Sequence, residues 1–144
     1  MEINALFPNL AADVAQFPVR PGEDPWTYEE AVAQGQALLA DRERLLGELA
    51  AAGHDLDDLL HNSGFGAGDD SVDSGSSALE REAELSVVNN LRHLLDQTEL
   101  AISRLRDGTY ATCEESGAPI GKARLQAFPR ATESVEARTR RSRR

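Results

Sequence analysis

The spacing that most resembles a chemical site lies in one segment, residues 107–137. Cys113 and the positions three, 21 and 24 residues further on have the spacing of a four-cysteine zinc site, in which two Cys-x-x-Cys turns supply four thiolates. The last three positions are Ser116, Ser134 and Ala137. Serine is a poor zinc ligand and alanine is none. We therefore expect no zinc or other cofactor, and a module that is held together by packing.

Catalytic chemistry has little support in the sequence. Cys113 is the only cysteine, and no base or orienting group accompanies it in the sequence, so it is a poor candidate for a nucleophile. Asp69, Asp70 and Asp73 lie close together, but their spacing lacks the pattern of a calcium loop and its terminal glutamate. We expect no catalytic residues and no metal site. A single cysteine also excludes an intramolecular disulfide and is typical of a reducing compartment.

The charge of the chain is acidic and unevenly distributed. A net charge of -10 argues against nucleic-acid binding by the whole surface, because phosphate binding needs clustered cations. Residues 138–144 nevertheless carry five arginines and no acid. This basic tail is either a solvated, frayed terminus or a contact for an acidic surface or nucleic acid. The candidate contacts are Arg138, Arg140 and Arg141.

Neither a membrane segment nor a secretory signal is evident. No apolar stretch approaches the ~20 residues that are needed to cross a bilayer, and the first ten residues lack a basic region followed by an apolar run. A cytoplasmic protein is expected.

A long first helix is predicted from Thr27 to about His61. Thr27 and Glu30 form a capping box, in which each side chain accepts a hydrogen bond from a free backbone donor. Leucine and alanine then recur at three- and four-residue steps, which is the period of an amphipathic helix. Glycines and aspartates predict that residues 62–76 form an acidic loop.

A second long helix is predicted from Ser77 to the residues before Gly108. Ser77 and Glu80 form another capping box, and a second apolar stripe follows at helical spacing. Two helices of similar length, each with one narrow apolar seam, pack against each other when a loop joins them. Residues 27–106 are therefore predicted to form an antiparallel coiled-coil hairpin.

The two ends of the chain flank this hairpin. Residues 1–26 contain four prolines, which disfavour regular helix and sheet, so they are predicted to be an arm. Phe7, Phe17 and Trp26 could anchor the arm, or it could be partly disordered. Residues 107–144 are predicted to be a small zinc-finger-like module with a C-terminal helix and a basic tail. The fold class is mainly α, with a globular module built from both chain ends.

Three segments carry a resemblance to a known family. They are residues 68–90, which read GDDSVDSGSSALEREAELSVVNN, residues 107–113, which read DGTYATC, and residues 119–132, which read PIGKARLQAFPRAT. The chain resembles the DksA/TraR regulators of bacterial RNA polymerase from about Pro25 onward. The lead-in FPVRPGEDPWT, residues 17–27, is similar to the actinobacterial branch.

The resemblance implies a mechanism without catalysis. In this family the coiled coil enters the secondary channel of RNA polymerase, and two tip aspartates approach the catalytic region and alter initiation. Asp70 and Asp73 match those aspartates, and Gly75 stands where the family often has a small apolar residue. No specific DNA contact is required. The partner implied is bacterial RNA polymerase.

Two departures from the family pattern bear on partners. Gln97 and Phe128 occupy positions that are basic in relatives that bind guanosine tetraphosphate, so a shared alarmone site is not expected, although Arg138 keeps a basic side chain at a third position. The lost zinc ligands and the glycine at the tip leave an alternative function open. In that alternative the chain is a coiled-coil adaptor, or a homodimer, that no longer regulates polymerase.

Overall fold

The computed structural model describes the backbone of residues 3–63 and 71–142, and the side chains of all of these except residues 62–63 and 71–77. The described part is mainly helical, as predicted, and contains no strand, only an isolated antiparallel bridge between Thr112 and Pro119. None of its helices is long and apolar enough to cross a membrane. The helices in chain order are α1 (Ile3–Leu6), α2 (Leu10–Asp13), α3 (Tyr28–Ser63), α4 (Ser71–Asp107), α5 (Lys122–Ala127) and α6 (Val135–Ser142), with one 3-10 turn (Val14–Gln16) after α2.

Helices α3 and α4 form the predicted antiparallel hairpin. They contain 36 and 37 residues, and each packs its apolar seam against the other. The predicted capping box at the start of α3 is confirmed. The backbone N–H of Thr27 donates to Oε1 of Glu30 at 2.9 Å, and the N–H of Glu30 donates to Oγ1 of Thr27 at 3.1 Å. These two bonds satisfy donors that a helix start otherwise leaves unpaired.

The predicted loop between the two helices is too long. α3 continues to Ser63, and α4 begins at Ser71 instead of Ser77, so Ser77 and Glu80 lie inside the helix and do not start it. Glycine inside a helix costs only about 1 kcal/mol, which the hydrogen bonds of neighbouring helical residues can offset. The single Gly75 therefore does not stop α4.

The chain divides into two compact units, which are described separately. The first comprises Met1–Arg42 and Gln97–Arg144, and the second comprises Glu43–Asp96. The first unit thus holds the arm, the module and the ends of α3 and α4 nearest to them. Its core contains the following buried residues: Phe7, Leu10, Val14, Phe17, Trp26, Ala31, Leu38, Ala101, Ile102, Leu105, Tyr110, Ala111, Cys113, Ile120, Leu125 and Ala137. The second unit has a smaller core of Leu45, Ala52, Val88 and Leu91.

The proline-containing arm is more regular than predicted. It forms α1, α2 and the 3-10 turn, because its prolines lie outside these short elements. The anchoring role of the aromatic side chains is confirmed, since Phe7, Phe17 and Trp26 are all buried in the first unit. Glu23 adds a polar attachment: its two carboxylate oxygens accept hydrogen bonds from the backbone N–H groups of Lys122 and Ala123, each at 3.0 Å. The arm is therefore part of the folded unit.

Candidate functional site

The residues predicted to form the tip are Asp70, Asp73 and Gly75, and the structure does not describe their side chains. Asp70 lies outside the described residues. Asp73 and Gly75 lie on the backbone of α4, and their side chains are outside the described part of the chain. Their assignment as tip residues stays a prediction.

The unit that carries these residues holds almost all of the net charge. Glu43–Asp96 contains 12 acidic residues against Arg44, Arg81 and Arg92, which gives -9 of the total of -10. The remainder of the chain is close to neutral. An excess of one sign on a single unit creates a field that attracts cationic surfaces and repels anionic ones. The second unit is therefore suited to bind a positively charged partner.

An apolar groove lies between α3 and α4 in the same unit. It has a volume of about 520 Å³ and is lined by Leu56, Leu60, Ala78, Leu79, Arg81, Glu82 and Leu85. Leu60 and Leu79 are 50% and 68% exposed. The buried core residues of this unit, Leu45, Ala52, Val88 and Leu91, lie outside the groove. Leucine side chains therefore remain accessible within an acidic surface.

The four positions of the zinc-like frame lie in the first unit, and hydrogen bonds connect them. Sγ of Cys113 accepts a hydrogen bond from the backbone N–H of Ser134 at 3.3 Å. Oγ of Ser134 in turn accepts one from the N–H of Ala137 at 3.2 Å, at the start of α6. Ala137 is fully buried, and Ser116 is exposed on the turn that follows Cys113. The structure thus brings the two turns together as the spacing implied.

The thiol of Cys113 sits in a polar environment although it is buried. Burial disfavours the thiolate, but the Ser116 hydroxyl and the backbone N–H groups of Ser134, Ser116 and Glu115 favour it more strongly. Together they lower the pKa of Cys113 from 9.0 to about 7.

The donor set at the frame does not fit zinc. It offers one thiol and two hydroxyls, and the fourth position has a methyl group, whereas structural zinc takes four thiolate or imidazole ligands. Among the side chains that the structure describes, no group of three or more His, Cys, Asp or Glu is placed to hold a metal ion. The expectation that this chain binds no zinc stays a prediction.

Arg104, in the last turn of α4, contacts the module, and sequence reasoning missed this role. Its Nη2 donates to the backbone carbonyl of Thr109 at 3.1 Å and also to that of Thr112, and its Nη1 donates to the carbonyl of Thr132 at 3.4 Å. An arginine in the last turn of α4 fits the helix dipole there, and that is the only signal the sequence contains. Nothing local specifies that this side chain reaches three carbonyl oxygens on two different turns.

A buried polar pair in the same unit was also missed. Nε2 of Gln34 donates to the hydroxyl of Tyr110 at 2.9 Å and to the carbonyl of Leu125 at 2.7 Å. The Tyr110 hydroxyl donates to the carbonyl of Pro129 at 2.7 Å. Burial raises the pKa of Tyr110 far above its ordinary value, so it stays protonated and able to donate. These bonds join α3 to α5 and to Tyr110, which in turn binds the segment after α5.

The basic tail is helical as far as Ser142. Arg138, Arg140 and Arg141 lie on α6 and are exposed, and Nη2 of Arg141 is 2.7 Å from Oε1 of Glu133. The described part of the tail is therefore helical, and its role as a contact stays a prediction. Exposed arginines at helical spacing leave a cationic surface at this end of the chain.

Known proteins resemble this chain, some over one segment and some over most of its length. The model of the prokaryotic dksA/traR C4-type zinc finger matches residues 108–143. The RNA polymerase-binding transcription factor DksA of Caulobacter vibrioides is 39% identical over 127 residues, which cover 87% of this chain and 86% of that protein. The general stress protein 16O of Bacillus subtilis is 36% identical over 66 residues, covering 46% of this chain and 40% of that protein.

A solved structure agrees with the sequence comparison. The transcription factor DksA2 from Pseudomonas aeruginosa matches with a TM-score of 0.65 and 30% identity, covering 80% of this chain and 84% of that one. The fold and the site thus define a long helical hairpin that carries a zinc-finger-like module built from both chain ends. The chain belongs to the DksA/TraR family. These transcription factors are not enzymes, and neither is this chain.

Proposed function

We propose that this protein is a transcription regulator that binds bacterial RNA polymerase. The observation that carries the proposal is the extent of the match to the RNA polymerase-binding transcription factor DksA of Caulobacter vibrioides. It spans 87% of this chain at 39% identity, and therefore includes both the hairpin and the module. A relationship limited to the zinc-finger segment would support a shared module, whereas one of this length supports a shared function.

We further propose that the hairpin enters the secondary channel of the polymerase. The charge of -9 on Glu43–Asp96 supports this, because cationic walls of such a channel would attract an acidic rod. Asp70 and Asp73 then act near the catalytic region, where a low effective dielectric strengthens the influence of a carboxylate. Gly75 leaves the backbone beside them less constrained than another residue would.

The module and the basic helix supply the remaining contacts in this proposal. Arg138, Arg140 and Arg141 are exposed on α6, and they would meet acidic surface on the polymerase. Specific DNA binding is not part of the mechanism, since the net charge of the chain opposes phosphate. An alarmone site is not part of it either, because Gln97 and Phe128 are not basic.

In vitro transcription with the polymerase of the same organism tests the proposal. Two measurements are needed, polymerase binding and transcript yield, for the natural chain and for Asp70→Asn with Asp73→Asn. We expect the double variant to keep its binding and to lose most of its effect on transcript yield. An unchanged effect would refute the tip mechanism alone, while absence of polymerase binding by the natural chain would refute the function itself.

The alternative function, a self-associating adaptor, is opposed by the same charge. Two copies that met through the second unit would each bring -9, and like charges in contact are unfavourable. Sedimentation at micromolar concentration separates the two cases. A monomer that binds polymerase supports regulation, and a dimer that does not bind polymerase supports the adaptor.

A further inference from the structure

A cluster of backbone carbonyl oxygens surrounds the guanidinium of Arg104. The oxygens belong to Thr109, Thr112 and Thr132, and the first two are separated from the third by about 20 residues of chain. A carbonyl oxygen carries partial negative charge, so three that face one point need a cation or several donors there. The planar guanidinium supplies both, with five N–H donors in a fixed geometry.

The carbonyls that Arg104 binds lie on the two turns that zinc joins in a C4-type finger. Thr112 directly precedes Cys113, which is the first ligand position, and Thr132 lies two residues before Ser134, which is the third. The Thr132 carbonyl also accepts a hydrogen bond from the backbone N–H of Glu114 at 2.9 Å. One guanidinium therefore connects α4, the first turn and the second turn.

The first turn also has a conformation that needs such support. Ala111 has a φ of 76°, the left-handed region that an alanine rarely adopts, and it is buried. Conformations of this kind cost of order 1 kcal/mol or more, and they persist only where the surroundings hold them in place. Thr109 lies two residues before Ala111 and Thr112 directly follows it, and Arg104 binds the carbonyl oxygens of both threonines.

We propose that Arg104 takes over the structural role of the metal, so that a guanidinium bound to three carbonyls joins the two turns of the finger without zinc. The hydrogen bonds from Ser134 to Cys113 and from Ala137 to Ser134 complete the junction at the former ligand positions. Both of these bonds come from neutral backbone N–H donors, whereas the guanidinium of Arg104 on α4 is a charged donor that reaches both turns. This role of Arg104 in the stability of the module does not depend on polymerase binding.

Arg104→Gln and Arg106→Gln form a matched pair for the test. Both arginines lie in the last turn of α4, and Arg106 is exposed. We expect Arg104→Gln to lower Tm by about 5–10 °C, the effect of losing charge-assisted hydrogen bonds in a domain of this size, and Arg106→Gln to lower it by less than about 2 °C. Amide hydrogen exchange at Glu114 should accelerate at least about tenfold in the Arg104 variant, because the partner carbonyl of Thr132 loses its position. The Tm of Arg104→Lys should lie between those of Arg104→Gln and Arg106→Gln, since one ammonium group does not span three carbonyls.

A restored zinc site makes the test specific for the role of the metal. Ser116→Cys, Ser134→Cys and Ala137→Cys together give the frame four thiols. With one zinc bound per chain, we expect the Tm loss caused by Arg104→Gln to shrink to less than about half, because zinc then joins the turns. If Arg104→Gln alone does not fold, recovery of folding by zinc in the four-cysteine background supports the proposal, and failure to recover refutes it.

Three results would overturn the inference. They are equal Tm losses for Arg104→Gln and Arg106→Gln, one zinc per chain in the purified natural protein, and a lower Tm of the natural protein in a strong zinc chelator. If the four-cysteine chain takes up no zinc, the Tm losses of Arg104→Gln and Arg106→Gln alone test whether Arg104 joins the two turns.

Discussion

Nζ of Lys122 lies 2.7 Å from Oε1 of Glu30, so the residue that caps the start of α3 also binds the start of α5. The same carboxylate accepts hydrogen bonds from the Thr27 N–H at 2.9 Å and from Nε2 of Gln126 at 3.2 Å. Glu30 thereby joins a local capping motif, which the sequence predicts, to a tertiary contact, which it does not. Its carboxylate is consequently a point where pH should act on the stability of the first unit.

The stability of the protein should fall in acid partly because Glu30 becomes protonated. The Lys122 ammonium and the Thr27 N–H lower the pKa of Glu30 from 4.5 to about 2. Since the folded-state pKa is the lower one, the contribution is fully present above pH 4.5 and is lost as pH falls toward about 2. We expect Glu30→Gln to cost about 1 kcal/mol at neutral pH, after allowance for solvent screening, and to weaken the acid dependence.

Urea unfolding between about pH 6 and about pH 3 measures this effect, and Glu29→Gln is the control. Glu29 is the exposed neighbour in the same helical turn and makes no bond to α5 among the described contacts. If the free energy of unfolding falls equally with pH in the natural chain and in Glu30→Gln, then Glu30 is not a source of the acid dependence.

Removal of the Tyr110 hydroxyl should destabilise the first unit by about 1–2 kcal/mol. Tyr110→Phe keeps the ring in place but leaves the part-buried Pro129 carbonyl without its donor and takes an acceptor from the buried Gln34. Tyr28→Phe is the matched control, because the Tyr28 hydroxyl donates to Oδ1 of Asn4 at 2.8 Å in a more exposed setting. Denaturant unfolding should show the larger loss for Tyr110→Phe, and equal losses would show that the buried bond has no special weight.

The arm should depend on Phe17 for its attachment. The Phe17 ring contacts those of Tyr110 and Trp26 edge-on, with centroid distances of 5.9 and 6.5 Å. We expect Phe17→Ala to cost about 3–5 kcal/mol, the usual effect of removing a buried aromatic ring. Phe128→Ala is the control, since Phe128 is 60% exposed. The fluorescence of Trp26, the single tryptophan, reports on the arm, and equal stability of the two variants would mean that the arm does not contribute to the core.

The apolar groove between α3 and α4 should contribute to polymerase binding if the proposed function is correct. Leu60 lines the groove and is 50% exposed, while Leu46 is also 50% exposed on α3 and lies outside the groove. Either leucine replaced by serine loses similar solvent-exposed apolar surface, so the two variants should be about equally stable. We expect Leu60→Ser to weaken binding about tenfold, which corresponds to about 1.4 kcal/mol of lost apolar contact, and Leu46→Ser to have little effect.

A direct binding titration with core polymerase gives both dissociation constants. Equal affinities for the two serine variants would exclude the groove as a contact and would leave the tip mechanism untouched. If Leu60→Ser loses affinity for core polymerase and the double variant Asp70→Asn with Asp73→Asn keeps it, then the groove serves binding and the tip serves regulation.

Local patterns in the sequence were sufficient for the hairpin and its first cap. The three- and four-residue steps of leucine and alanine specify α3 and α4, because the helical period depends on neighbours along the chain. Thr27 and Glu30 are three residues apart, so their reciprocal bonds could be predicted. The start of α4 at Ser71 could not, because Asp73 and Gly75 disfavour helix by amounts small enough for the continuing helix to outweigh.

Only the tertiary structure decided how the first unit is held together. The four positions of the metal frame are visible in the sequence, and so is the loss of three ligands. Two further contacts join residues that are far apart in the chain. Arg104 binds carbonyls on both turns, and Gln34 binds Tyr110. Side chains of arginine and glutamine have many possible partners, and it is the packing of α3, α4 and the arm that selects one geometry for each of them.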